Sequence, residues 1–384
     1  MIKSYSAFTE EIDDAKIAVS EILAQLEPKK NCLKNSVALV TCYHEFATNG
    51  IIAELYKELG FPVVGFTTTA ISTNRGLGQL DLSILMITSD DVTFTAARSE
   101  SLEGGLEEPL EQMYERALEG HENPPKLLIS AAPLMLDYAG DSYVAALDKI
   151  SGGVPNFGAL AIDNTANYLN SYVVFNDTVG RDFYGIIMAS GNISPKFLYA
   201  SFSPEYILKQ SATITKSEGN LLKEIDGDPL IKYMENMGLA ENGAVSDVLH
   251  SIPFILDYSG DGIPVSRVLL SWSEEGYGIC GGLMPEGTRF NLGMWDEADV
   301  LKTTIKTIED ILKNEDIGAL LLYSCLARSY SLGIKILSET EVVSQTVGEN
   351  VSYIFGYAGG EICPVKDGAN ANSFHNNTVI ACAF

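Results

Sequence analysis

The sequence predicts an α/β fold: repeated β-α-β-β units forming mixed sheets covered by helices, in two closely packed halves. Two observations carry that expectation. Short apolar runs rich in β-branched residues alternate with segments of helical periodicity. The order of these elements then recurs along the 384 residues, with landmarks in matching places. One such unit could not cover both faces of its own strands, so the copies must stack.

In the first unit SVALVTCYH reads as a buried strand, Asn49 to Leu59 as a helix and FPVVGFTTT as a second strand. DLSILMITSDDVTFTAARS follows as a hairpin, two alternating runs around a polar turn. The second unit repeats this with KLLISAAP, the helix DSYVAALDKI, VPNFGALAID and a hairpin through YGIIMASGNISPKFLYAS. Gly65 corresponds to Gly158, and the turn at Ser89 to that at Ser190. A third, looser copy holds IGALLLYSCLA, a helical SYSLGIKILSE, SYIFGYAGGEI, a loop of Gly and Asn, and the closing strand NTVIACAF.

Other segments frame these copies. FTEEIDDAKIAVSEILAQL predicts a first helix with Thr9 as its N-cap, assigning 1–30 to an N-terminal helix. Residues 31–207 then hold two copies, and 208–384 the third copy plus a β meander. The meander is VSRVLLSWSEEGYGICGGLMPEGTRFNLGMW, with turns at Glu275-Gly276 and Glu286-Gly287. DEADVLKTTIKTIEDILKN is the clearest helix, with Asp296 or Asp299 near its start.

A formal charge of −26 argues against nucleic acid and anionic membranes, because phosphate-binding surfaces need clustered Lys and Arg. No apolar stretch reaches a membrane span, since IGALLLYSCLARSYSLGIKIL carries Arg328 and Lys335. The N-terminus lacks the apolar core of a signal peptide. Six cysteines without a CxxC pair suggest buried thiols in a reducing, cytoplasmic compartment. No cofactor or metal is expected: GxxxxGK[ST], HExxH and GxSxG are absent, and no Cys/His spacing suggests a ligand set.

The repeat provides its own control, because a position serving only the fold should look alike in every copy. After the first strand, copy one has Cys42-Tyr43-His44, copy two Ser130-Ala131-Ala132, and copy three Ser324-Cys325-Leu326-Ala327-Arg328. After the second strand, copies one and two have GFTTT and GALAID, but copy three has GYAGGEI. Ligands of parallel α/β units settle at the carboxyl ends of strands. Arg328, Glu361 and His375 are expected near one such edge. Each has a plainer reading: Arg328 with Glu361 as a structural ion pair, Cys325 as core packing, His375 as a loop cap. Gly359-Gly360 serves either a positive φ or the close approach of a ligand.

These residues also carry a resemblance. PVVGFTTTAIS, LSILMITSDDVTF, GGVPNFGALAIDN and EGNLLKEIDGDPLIKYMENMG resemble the FIST sensory domain of bacterial signalling proteins. LLLYSCLARSYSLG, IFGYAGGEICP and FHNNTVIACAF are similar to the FIST C-terminal domain. The matching positions are Cys325 and Arg328; Gly356, Gly359, Gly360 and Glu361; and His375, Asn376 and Thr378. The resemblance implies intracellular sensing of a small ligand, with amino acids suggested, bound by the paired domains. Relatives are often joined to kinase, cyclase or chemoreceptor-type modules. This sequence holds none, so the expectation is action through a separate signalling partner, a stand-alone binder, or some other role.

The leading expectation is therefore a binding protein for an amino acid or similar small carboxylate. Arg328 would hold the carboxylate, Glu361 an amine, and His375 with Asn376 further hydrogen bonds, beside the Gly359-Gly360 backbone and Cys325. The alternative is a cysteine-dependent hydrolase or acyl transferase, with Cys325 as nucleophile, His375 as base and Glu361 orienting it. A third reading, a scaffold, predicts a large exposed apolar patch.

Overall fold

The computed structural model describes residues 1–384 except 166–167, 202, 242–243, 246–251, 257–263, 295, 314–315 and 366–371. The Gly- and Asn-rich loop expected before the last strand lies outside the described residues.

Three units share one plan. In the first, Asn35–Cys42 pairs in parallel with Val63–Thr67 and antiparallel with Leu82–Ser89. Pro125–Ala132 does the same with Asn156–Leu160 and Gly185–Gly191, and Leu320–Cys325 with Tyr353–Ala358 and Val379–Ala383. The registers Val40–Gly65, Ser130–Gly158 and Tyr323–Gly356 align the copies residue by residue. The glycine landmark has a physical cause in two of them. A Cβ on Gly65 would stand 1.8 Å from the Val40 carbonyl oxygen, and one on Gly158 2.3 Å from that of Ser130.

The two predicted hairpins do not form. Leu82–Ser89 and Val92–Arg98 are both strands, but the second crosses to pair with Gly185–Gly191 of unit two. Lys196–Ala200 likewise leaves unit two for Val379–Ala383 of unit three. The corresponding edge of unit one is filled by Ile2–Thr9, paired with Leu82–Ser89. Burial tells the paired runs apart: Leu82–Ser89 is buried throughout, whereas Val92–Arg98 is mostly half-buried at a sheet edge.

Ribbons are exchanged in the opposite sense. Ile71–Thr73 joins the sheet of unit three, Val173–Phe175 that of unit one, and Glu361–Pro364 that of unit two. The segments before and after residue 208 are therefore interleaved through shared sheets. The inner faces of all three sheets meet in one apolar core. At its centre the Tyr323 ring lies 5.2 Å from Phe66 and 5.4 Å from Phe157, one aromatic from each unit. Helices cover the outer faces, Ala15–Leu26 and Ile51–Leu59 on unit one, with Glu107–Leu118, Gly140–Ser151, Glu297–Ile311 and Ser338–Val347 on the others.

Three local expectations are corrected. The first helix starts at Ala15, where the Asp14 side chain accepts from the Lys16 and Ile17 amides. Thr9 instead ends a strand, one too polar to register as such in the sequence. The helix expected from SYSLGIKILSE is broken into Leu326–Tyr330, a turn at Gly333–Lys335 and Ser338–Val347, with Gly333 at φ 55°. The meander is not sequential, since Arg289–Gly293 pairs with Ile207–Glu218 and Phe254–Leu256. These strands form a separate sheet with its own core, tied to unit two by Arg267 and Asp141 at 2.7 Å.

Candidate functional site

The strand Leu320–Cys325 ends at the thiol, and the chain turns directly into Leu326–Tyr330. Register places Cys42 and Ala132 at the equivalent points of units one and two. Five residues beyond the landmark glycines stand Ala70, Asp163 and Glu361. Only unit three combines a thiol with a carboxyl at these two positions.

Glu361 is fully buried. Its Oε2 accepts from the Thr378 hydroxyl at 2.7 Å and the Thr378 amide at 3.4 Å. Its Oε1 has no hydrogen-bond partner among the described residues. Burial pushes this carboxyl up to about 8, against the pull of Thr378, the neighbouring Cys325 thiol and the charge of Arg328. Glu361 is therefore largely protonated at neutral pH. Burial and the Glu361 charge also push the Cys325 thiol well up, although the amides of Asn377 and Ala327 approach its sulfur. A protonated, 2% exposed thiol is a poor nucleophile.

The turn before the last strand wraps around this pair. The Cys325 amide donates to the Thr378 carbonyl at 2.9 Å. Asn377, at φ 58°, donates from Nδ2 to the Ser266 hydroxyl at 2.8 Å, while its Oδ1 lacks a partner among the described residues. Asn376 is completely buried, and neither its Oδ1 nor its Nδ2 is hydrogen-bonded within that set. Two glycines make room for its amide. A Cβ on Gly281 would stand 2.7 Å from Oδ1, and one on Gly360 3.0 Å from Nδ2.

Cys325 borders a hollow of about 20 Å³ whose other walls include Ile162, Tyr168, Leu270, Tyr330 and Gly359. That volume holds about one water-sized group. Tyr168 sits at φ 53° on a loop closed by Asp163, which accepts from the Asn170 amide at 2.6 Å and the Ser171 hydroxyl at 3.1 Å. A wider groove of about 1020 Å³ lies beside the Ala15–Leu26 helix, near Lys16, Leu23, Lys34 and Phe61. None of its polar lining residues is buried, so the chemistry points to the smaller hollow.

The expected site residues divide into two sets. Cys325, Glu361, Gly359, Gly360 and Asn376 come together. Arg328 is fully buried and bound to Glu339 through Nε and Nη2 at 3.2 and 3.1 Å, with the Val300 carbonyl at 2.9 Å and the Thr304 hydroxyl at 2.8 Å. Glu339 also accepts from Ser324 at 3.0 Å. The influence of Arg328 on Glu361 is electrostatic. His375 faces Glu361 in register, yet its ring stacks on Tyr199 at 5.0 Å and its Nε2 reaches the Cys363 carbonyl at 3.3 Å. Burial lowers it to about 4, so it is neutral. Sequence reasoning missed Glu339, which reads as an ordinary first-turn helix acid. It also missed Asn377, Tyr168 and Tyr330, whose positions depend on long-range packing.

No curated protein matches the chain. Among solved structures it is similar to the structure of PurLQS from Thermotoga maritima at 10% identity and a TM-score of 0.19, covering 100% of this chain and 71% of that one; so low a score carries no argument. The family comparison is informative. The FIST N domain matches residues 36–228 and the FIST C domain residues 230–364. Ile162 and Tyr168 fall in the first match, and Leu270, Cys325 and Gly359 in the second, so the hollow lies where the two regions meet. Matched by both of its domains in order, the chain belongs to the FIST family of sensory domains.

Proposed function

We propose that this protein is a sensory module that binds a small ligand in the hollow at the carboxyl ends of Leu320–Cys325 and Tyr353–Ala358. The observation that carries this reading is the fully buried Glu361, with Oε1 unpartnered among the described residues, beside the thiol that borders the hollow. Native interiors rarely leave such groups unsatisfied without a role. The family adds the sensory context. The six free cysteines support a reducing, cytoplasmic setting.

Binding is favoured over cysteine catalysis. A Cys–His mechanism needs the imidazole within hydrogen-bond reach of the sulfur, whereas His375 is engaged by Tyr199 and Cys363. Of the residues that border the hollow, Tyr330 is the exposed one, at 43%.

The test is a thermal-shift screen of small metabolites against the wild type and Leu270→Trp, which fills the hollow. A compound at 100 times its Kd stabilises by about 2.7 kcal/mol. The reading expects hits that vanish in the filled variant. Hits that survive Leu270→Trp unchanged place binding elsewhere and overturn it.

A further inference from the structure

The β-rich segment 207–293 differs from the interleaved units in how it is attached. Among the described residues its strands pair only with one another, and it has its own core. The sheets of the three units lend and borrow strands, so no unit can shift without breaking a ladder. The segment is joined to them at one neck. Ile207 lies opposite Gly293, and the Met294 amide donates to the Tyr206 carbonyl at 2.8 Å. The Ser203 amide anchors this neck by donating to Asp299 at 3.0 Å. A chain that enters and leaves side by side lets the segment rotate as a body.

A set of hydrogen bonds docks the segment on the units. Arg267 Nη2 donates to Asp141 Oδ1 at 2.7 Å, and the Leu283 amide to Asp141 Oδ2 at 2.8 Å. The Gly140 amide donates to the Gly281 carbonyl at 2.9 Å, and Asn220 Nδ2 to the Leu136 carbonyl at 3.1 Å. Asn377 Nδ2 reaches the Ser266 hydroxyl at 2.8 Å. Arg267 is fully buried, whereas 15% of the Asp141 side chain is exposed. Val268 and Leu270 add apolar contact across the seam, while Leu269 between them turns into the segment's own core.

Val268 and Leu270 are also the segment's share of the walls around the Cys325 hollow. Unit two supplies Ile162 and Tyr168, and unit three the remaining walls. With the segment docked, the hollow holds about 20 Å³, room for about one water-sized group. Swinging the segment away on its neck removes one wall and leaves every ladder of the units intact.

Resting on the reading of this hollow as a ligand site, we propose that segment 207–293 is its hinged cover, with Asp141 and Arg267 as the latch. The docked arrangement is the closed form. A ligand larger than water enters when the latch parts. The closed hollow cannot enclose it, so its binding holds the cover off the units. Ligand occupancy becomes a change in the position of a whole sheet.

Three buried thiols report on the cover in the intact chain. Cys325 borders the hollow, Cys280 lies in the core of the segment, and Cys382 in the core shared by the units. Asp141→Asn keeps the shape of the latch and removes its charge. Iodoacetamide with mass-spectrometric mapping is expected to label Cys325 at least tenfold faster in this variant than in the wild type. Cys280 and Cys382 stay protected, because the segment moves as a body. The proposal is overturned if Cys325 gains no reactivity. It is equally overturned if Cys280 or Cys382 gains as much, since the segment or the whole chain would then be unfolding.

Hydrogen exchange of the wild type follows the same motion without a substitution. The Gly140 and Leu283 amides bond across the seam, whereas those of Ile214 and Leu128 bond inside the segment and inside unit two. The first pair is expected to exchange at least tenfold faster than the second. One common rate for all four would overturn the cover. Neither experiment uses a ligand, so a fixed segment would leave the hollow to be judged by the Leu270→Trp screen. Hits that survive Leu270→Trp would remove the ligand site even if the segment moved.

Discussion

Glu361 and Thr378 form the one satisfied half of a buried carboxyl: Oε2 accepts the threonine hydroxyl at 2.7 Å, while Oε1 has no partner among the described residues. Thr378 belongs to the turn before the closing strand, and Glu361 opens the ribbon that unit three lends to unit two. A carboxyl held in this way is coupled to pH and to whatever enters beside it.

Stability should fall as pH rises from 6.5 to 8. The Glu361 carboxyl is raised from 4.5 to about 8, so its contribution is full below 4.5 and lost as pH climbs through 8. His375 is lowered from 6.5 to about 4, so its contribution is present above 6.5 and lost as pH falls through 4. The two slopes oppose each other between 4.5 and 6.5, and above 6.5 Glu361 acts without His375. The expected loss from 6.5 to 8 is on the order of 2 kcal/mol. Urea unfolding at pH 6.5 and 8.5 measures it, and Glu361→Gln should remove it. An equal slope in that variant would refute the assignment.

Arg328 and Glu339 should behave as a structural pair. Both are fully buried, 3.1 Å apart. Arg328→Met or Glu339→Leu alone is expected to cost on the order of 3–5 kcal/mol by stranding the other charge, and the double variant to recover most of it. A double-mutant cycle by urea unfolding gives the coupling. A cost below about 1 kcal/mol for either single change would show that the pair is not what holds this region.

The landmark glycines should not be equivalent. A Cβ on Gly65 meets the Val40 carbonyl at 1.8 Å, whereas one on Gly356 finds Thr41 Cγ2 at 3.3 Å, a side chain able to yield. Gly65→Ala is expected to cost about 3 kcal/mol or more, and Gly356→Ala about 1 kcal/mol or less. Thermal melts of the two variants decide the matter, and equal losses would contradict the packing described.

Much of this was legible in the chain. The inner strands announce themselves because both faces are buried, and Gly65 and Gly158 mark equivalent backbone contacts. The partners of Val92–Arg98 and Lys196–Ala200 were not legible, because a run and a short turn look the same whether the strand folds back or crosses to a neighbour. Ile2–Thr9 escaped because an edge strand needs little apolar content. At the site, Glu361 stood out by breaking the repeat, as did Arg328 and His375, which the fold engages elsewhere, whereas Asn376 was marked by the family resemblance. Glu339 did not, since an acid in the first turn of Ser338–Val347 needs no tertiary reason.

Cysteine reactivity should follow burial. Cys32 is the half-exposed thiol, and the other five are buried. Iodoacetamide with mass-spectrometric mapping should label Cys32 first and Cys325 only after unfolding. Rapid native labelling of Cys325 would restore the nucleophile reading.

The most direct measurement is a crystal structure with a compound that raises the melting temperature. Density between Glu361 and Tyr330, with a donor within hydrogen-bond distance of Glu361 Oε1, is the expected result. Density in the groove near Lys16 and Lys34, with the Cys325 hollow unchanged, would contradict the account.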